Sequence, residues 1–140
     1  MKLLLVDDNT QLLSILEALL SRTGHRLATA ANGWEGYQRA LVFRPDVVIT
    51  DLDMPLMDGL TMMRHIRRHL PQVRTVYISG APQAHWTRLE PELAGRGTRL
   101  VEKPFTRDEL LDAVAALKPA RIEGAGAWTR MRVPAAPAPG

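Results

Sequence analysis

The chain has no cysteine among its 140 residues. That excludes a disulfide framework, a thiolate metal site and a cysteine nucleophile. Long apolar runs are missing as well. The N-terminal "LLLV" meets Asp7 and Asp8 at once, too short for the apolar core of a signal peptide and far too short to cross a bilayer. A cytoplasmic protein without membrane contact is the expectation. Nor is there a large excess of one charge: 18 Lys and Arg stand against 15 Asp and Glu, a net charge of +3. Basic residues gather in "RHIRRHLPQVR", Arg64 to Arg74, and again at Lys118, Arg121, Arg130 and Arg132. No zinc-finger spacing, helix-turn-helix pair or basic zipper accompanies them, so direct nucleic-acid binding is not expected. The first cluster reads as the solvated face of an amphipathic helix.

What is present is an ordinary globular composition, 46% apolar and 24% charged, at a length that suits a single core. Short apolar runs recur every 20 to 25 residues: "KLLLV" from Lys2, "RLATA" from Arg26, "DVVIT" from Asp46, "TVYIS" from Thr75 and "RLVE" from Arg99. Between them apolar residues take helical spacing, as in Leu12, Leu16, Leu19 and Leu20, or Leu60, Met63, Ile66 and Leu70. Strand alternating with helix implies a parallel sheet with helices on both faces, an α/β fold. Gly24, Pro45 and Pro71 mark the ends of the first three helices, and Thr106 with Glu109 forms a capping box for the last. The fourth, "APQAHWTRLEPELAGRG", contains Pro82, Pro91, Gly95 and Gly97, which predicts a short or broken helix. The folded domain is expected over residues 1–117. Residues 118–140, rich in Pro, Ala and Gly, read as a flexible tail with Trp128, Met131 and Val133 as candidate docking residues.

Ligands of open parallel sheets sit outside the carboxyl ends of the strands, where strand order reverses. In the flavodoxin-like doubly wound order 2-1-3-4-5, strands one and three are neighbours, which brings Asp7 and Asp8 to Asp51. Three carboxylates in one crevice are either partly protonated or neutralised by a hard cation, and Mg²⁺ suits such an oxygen-only set. Ser79 and Lys103 lie at the ends of the fourth and fifth strands. Asp58 reads as the cap of a helix beginning near Gly59. Metal, cation, hydroxyl and a carboxylate nucleophile are the parts of a phosphoryl-transfer site.

The set "LLLVDDN", "VVITDLDMPLMDG", "VYISG" and "VEKPF", in that order, resembles the receiver domain of two-component response regulators from Met1 to about Leu117. The resemblance implies that Asp51 is the phosphoacceptor and that Asp8 and Asp51 hold Mg²⁺ through their carboxylates. It implies further that Asp7 assists through water, Asp53 through its main-chain carbonyl, and that Ser79 and Lys103 contact the phosphoryl group. A cis Lys103–Pro104 bond is expected on the same ground. The implied partners are a histidine kinase or phosphotransfer protein, for a monomer or weak dimer that signals as a single-domain switch and is no turnover enzyme. Asp53, two residues past Asp51, is expected to influence dephosphorylation.

Two alternatives stand beside this reading. One is the receiver portion of a larger multidomain regulator or hybrid kinase. The other is a haloacid-dehalogenase-like phosphatase, whose Asp-x-Asp form "DLD" at Asp51 to Asp53 shares. The chain also departs from the receiver pattern. Leu100 stands where many receivers place a switching Tyr or Phe, and two more residues separate Ser79 from Lys103 than in the chemotaxis regulator.

Overall fold

The five apolar runs form five strands in the computed structural model, which describes residues 1–118: β1 (Lys2–Val6), β2 (Arg26–Ala30), β3 (Val47–Asp51), β4 (Arg74–Ser79) and β5 (Thr98–Glu102). They make one parallel sheet in the order β2-β1-β3-β4-β5, the expected doubly wound arrangement. Residues from 119 onward, including the proposed docking residues Trp128, Met131 and Val133, lie outside the described part.

Side chains alternate across a strand, so each run feeds two cores. Leu3, Leu5, Val47, Ile49, Val76 and Ile78 face α1 (Thr10–Leu20) and α5 (Arg107–Ala116). Leu4, Val6, Val48 and Tyr77 face the other layer, built from α2 (Gly33–Phe43), α3 (Gly59–Arg67) and α4 (Trp86–Leu93). Burial on both faces explains why the strands read as continuous apolar runs rather than alternating ones.

The helix boundaries follow local chemistry. α1 ends in a 3-10 turn, Ser21–Thr23, and Gly24 then takes the left-handed conformation at φ 81°. After α2 the same conformation falls on Arg44, at φ 54°, immediately before Pro45. α5 carries the expected capping box: the Thr106 hydroxyl accepts from the Glu109 amide at 3.1 Å, and the Glu109 carboxylate accepts from the Thr106 amide at 2.7 Å. Asp58 caps α3, accepting from the Thr61 amide at 2.8 Å. The next residue must be glycine for a steric reason. A Cβ on Gly59 would stand 2.5 Å from the Asp51 carbonyl oxygen, so the start of α3 presses directly on the backbone of the central acid.

The fourth helical segment is short, as its prolines predict. A 3-10 turn, Pro82–His85, leads into the eight residues of α4, and Pro91 sits inside the helix. Leu89 is the buried residue of α4, worth about 2 kcal/mol of apolar burial. Leu93 packs partly buried against the same core, and beside the two leucines runs a polar row spaced i, i+3, i+7. His85 meets Asp53 at 2.6 Å, Arg88 meets Asp58 at 2.8 Å and Glu92 meets Arg67 at 2.7 Å. The basic cluster from Arg64 is therefore not wholly solvated. Arg67 is drawn between α3 and α4, where it donates to Glu92 and, at 2.7 Å, to the Thr75 hydroxyl.

Two consequences are measurable. Burial raises the Asp58 pKa, but the Arg88 guanidinium and the Thr61 amide and hydroxyl outweigh it and hold the carboxyl at about 2, against 3.8 in the free side chain. A depressed carboxylate contributes stability above its unfolded pKa and loses it as pH falls through the folded one. Asp58→Asn keeps a capping side chain but not the ion pair. It is expected to cost about 1 kcal/mol near neutral pH, the solvent-screened value of a pair whose arginine is half exposed. That cost should shrink between pH 3.8 and about 2 in urea unfolding. Gly59→Ala is expected to cost about 1–3 kcal/mol in the same assay, as overpacking against backbone does.

Candidate functional site

The strand order puts the ends of β1 and β3 side by side, with Val6 in register with Thr50. Asp7 and Asp8 therefore leave one strand where Asp51 ends its neighbour. One ligand oxygen from each of these three aspartates lies within 4.8 Å of the others. Asp7 is fully buried and Asp51 nearly so, at 0% and 5% exposure, while Asp8 opens to solvent.

Each carboxylate is held differently. Asp7 Oδ1 accepts from the Asn9 amide at 2.9 Å, closing the turn that starts α1. Its Oδ2 is buried with no hydrogen-bond partner among the described residues. Burial drives the Asp7 pKa up, and the neighbouring Asp51 and Asp8 charges push the same way, against the Asn9 amide and Lys103. Asp51 is better satisfied: its Oδ1 accepts from the Asp53 amide at 3.1 Å and its Oδ2 from Lys103 Nζ at 3.1 Å. Lys103 reaches it from the end of β5, where the Lys103 amide also donates to the Ser79 carbonyl at 2.9 Å. The Lys103–Pro104 bond is cis.

A buried carboxylate oxygen without a donor, set among two further carboxylates, is a costly arrangement unless a cation shares it. All three donors are hard oxygens, one of them open to water. Such a set fits a small divalent ion that retains part of its hydration, which is the behaviour of Mg²⁺.

Ser79 ends β4 as expected, but its contact with the Asp53 side chain is one the sequence does not reveal. Ser79 is fully buried, and its hydroxyl donates to Asp53 Oδ2 at 3.3 Å while accepting from the Ala81 amide at 3.0 Å. Asp53 keeps its carboxylate out of the metal-ligand group and directs Oδ1 to His85 Nε2, 2.6 Å away. His85 carries no sequence signal of its own, since it lies in the proline-broken stretch where no periodicity points inward. Leu100 faces the α2–α3–α4 core in register with Tyr77 of the adjacent strand. Tyr77 is fully buried and its hydroxyl donates to Glu92 of α4 at 2.6 Å. Burial first, then Glu92, raise its pKa far above the usual phenol value, so the ring is a neutral donor.

Residues 3–115 match the sequence model of the response regulator receiver domain. The transcriptional regulatory protein PrrA of Mycobacterium tuberculosis is 34% identical over 116 residues, 83% of this chain and 49% of PrrA; the chain spans about half the length of that relative. A response regulator receiver domain from Clostridium thermocellum aligns with a TM-score of 0.73 at 26% identity, over 83% of this chain and 93% of that one. The receiver domain of the Pseudomonas aeruginosa sensor histidine kinase PA1611, solved with magnesium coordinated in its active-site cleft, aligns with a TM-score of 0.68 at 28% identity, over 79% and 91% of the two chains. These matches leave the phosphatase alternative without support. Among the described residues, no helix is long and apolar enough to cross a membrane. An acidic crevice at the strand-order reversal, with a lysine on its central aspartate and this family match over most of the chain, makes the protein a member of the response regulator receiver domains, the phosphoaccepting, Mg²⁺-binding signalling switches of two-component systems.

Proposed function

We propose that Asp51 accepts a phosphoryl group from a histidine kinase or phosphotransfer protein, with Mg²⁺ held by the carboxylates of Asp8 and Asp51 and the main-chain carbonyl of Asp53, and by Asp7 through water. The observation that supports this most is the partnerless Oδ2 of Asp7 beside Asp8 and Asp51. The ion, when bound, neutralises the carboxylates and the phosphoryl oxygens so that two anions can approach. An Asp51 oxygen attacks phosphorus as the bond to the donor imidazole nitrogen breaks, and that nitrogen keeps the electron pair. The Lys103 ammonium, already 3.1 Å from Asp51 Oδ2, stabilises charge on a transferring phosphoryl oxygen. The Ser79 hydroxyl donates to a second one after leaving Asp53. In hydrolysis a water oxygen attacks phosphorus, the Asp51 carboxylate departs with the bonding electrons, and both protons of the water leave with inorganic phosphate as dihydrogen phosphate. On this reading the protein is a stoichiometric switch that takes up one phosphoryl group per chain and sheds it slowly.

Acetyl phosphate with Mg²⁺ should load one phosphoryl group per chain, read by intact mass. Asp51→Asn or a chelator should abolish the signal, whereas rapid turnover of many phosphates per chain would contradict the proposal. Asp7→Asn separates the two roles of the acidic crevice. Removing a buried like charge should raise the thermal midpoint of the metal-free protein. The same variant should lose the stabilisation by Mg²⁺, about 1.4 kcal/mol at a concentration ten times Kd. A wild-type Mg²⁺ response in that variant would exclude Asp7 from the site.

A further inference from the structure

We propose that His85 is a positioning residue: through Asp53 it holds the Ser79 hydroxyl away from the phosphoryl site and so slows phosphoryl uptake at Asp51. The proposal rests on the reading of Asp51 as the phosphoacceptor.

Three side chains form one chain of hydrogen bonds along the rim of the crevice. A carboxylate only accepts, so His85 Nε2 carries the proton toward Asp53 Oδ1, at 2.6 Å. The other oxygen of the same carboxylate accepts from the Ser79 hydroxyl at 3.3 Å. A serine hydroxyl has one proton to give. While Asp53 takes it, a phosphoryl oxygen on Asp51 cannot. Without a partner the Asp53 side chain would be free to turn into water, since it is 54% exposed. His85 removes that freedom, being itself 16% exposed and fixed at the junction of the 3-10 turn and α4. The amide of Asp53 is engaged separately, with Asp51 Oδ1 at 3.1 Å, so the backbone of Asp53 is anchored and only its carboxylate is set by His85. The contact joins the residue that follows the phosphoacceptor by two to the residue that caps the start of α4. Release of Ser79 from Asp53 and release of α4 from the β3–α3 loop thus share one histidine.

His85→Ala should take up phosphoryl from acetyl phosphate about two- to tenfold faster than the wild type, the factor carried by one ordinary hydrogen bond. His85→Gln, which keeps a donor of similar reach, should return the rate toward the wild-type value, and both variants should unfold cooperatively. Asp53→Asn should raise the rate similarly, and adding His85→Ala to it should change little, because the two act as a unit. Equal rates in wild type and His85→Ala, or additive effects in the double variant, would overturn the proposal. A second readout needs no phosphorylation: the Ala81 amide, which donates to Ser79 Oγ at 3.0 Å, should shift its ¹H–¹⁵N resonance in His85→Ala and return in His85→Gln. An unmoved Ala81 resonance would also overturn it. Absence of uptake by the wild type would sink the assignment of Asp51 instead, and the Ala81 resonance would still decide the role of His85.

Discussion

Like charge at the carboxyl edge of the buried central strands is the constraint around which this domain is arranged. Asp7 follows β1 and Asp51 ends β3, the two most buried neighbours in the sheet, and Asp8 and Asp53 stand close by. Isolated carboxylates there would each forfeit their hydration. Much of the neighbouring architecture supplies what water would have given. The turn into α1 donates the Asn9 amide, the backbone after β3 donates the Asp53 amide, and β5 delivers Lys103. One oxygen remains without a donor, Asp7 Oδ2.

The strand runs and their order were legible because burial on both faces makes the central strands near-continuous apolar runs, and the runs recur every 20 to 25 residues between polar helix starts. Asp7, Asp8 and Asp51 followed from that order by topology alone, and Asp58 and Thr106 from helix-cap chemistry. The sequence says less where an element is fixed by single contacts rather than by periodicity. His85 pairs with a residue 32 positions away, and Arg67 with one 25 positions away; no local pattern encodes either distance. Arg67 shows the cost of reading charge as solvation. It lies in a run of basic residues, yet burial lowers its guanidinium pKa less than the Glu92 and Tyr77 contacts raise it, which marks an arginine held in place rather than one facing water.

The departure at Leu100 takes on a different meaning beside the structure. A leucine on β5 removes an aromatic ring from that strand, but its register partner on β4 is Tyr77, which fills the same face of the sheet. An aromatic side chain on an outer strand position can turn toward solvent at the cost of its burial. Tyr77 has no such freedom: its ring is sealed in the core and its hydroxyl is bound to Glu92. Glu92 in turn accepts from Arg67 of α3, so a movement of Tyr77 disturbs α4 and α3 together.

These contacts converge on α4. α4 buries Leu89, worth about 2 kcal/mol, packs Leu93 partly against the same core, and is further tied down by contacts at His85, Arg88 and Glu92. Partly exposed ion pairs contribute about 0.2–1 kcal/mol each, so the polar contacts together rival the burial of Leu89. Pro91 removes a hydrogen bond from inside the helix as well. Its first contact, His85 on Asp53, lies beside Asp51, whose Oδ1 accepts from the Asp53 amide, and its last, Glu92, joins buried Tyr77 to Arg67 of α3. On the proposed reading of Asp51 as the phosphoacceptor, added charge there meets α4 first at the His85 end of this polar row, and Arg88 and Glu92 tie the same row to α3.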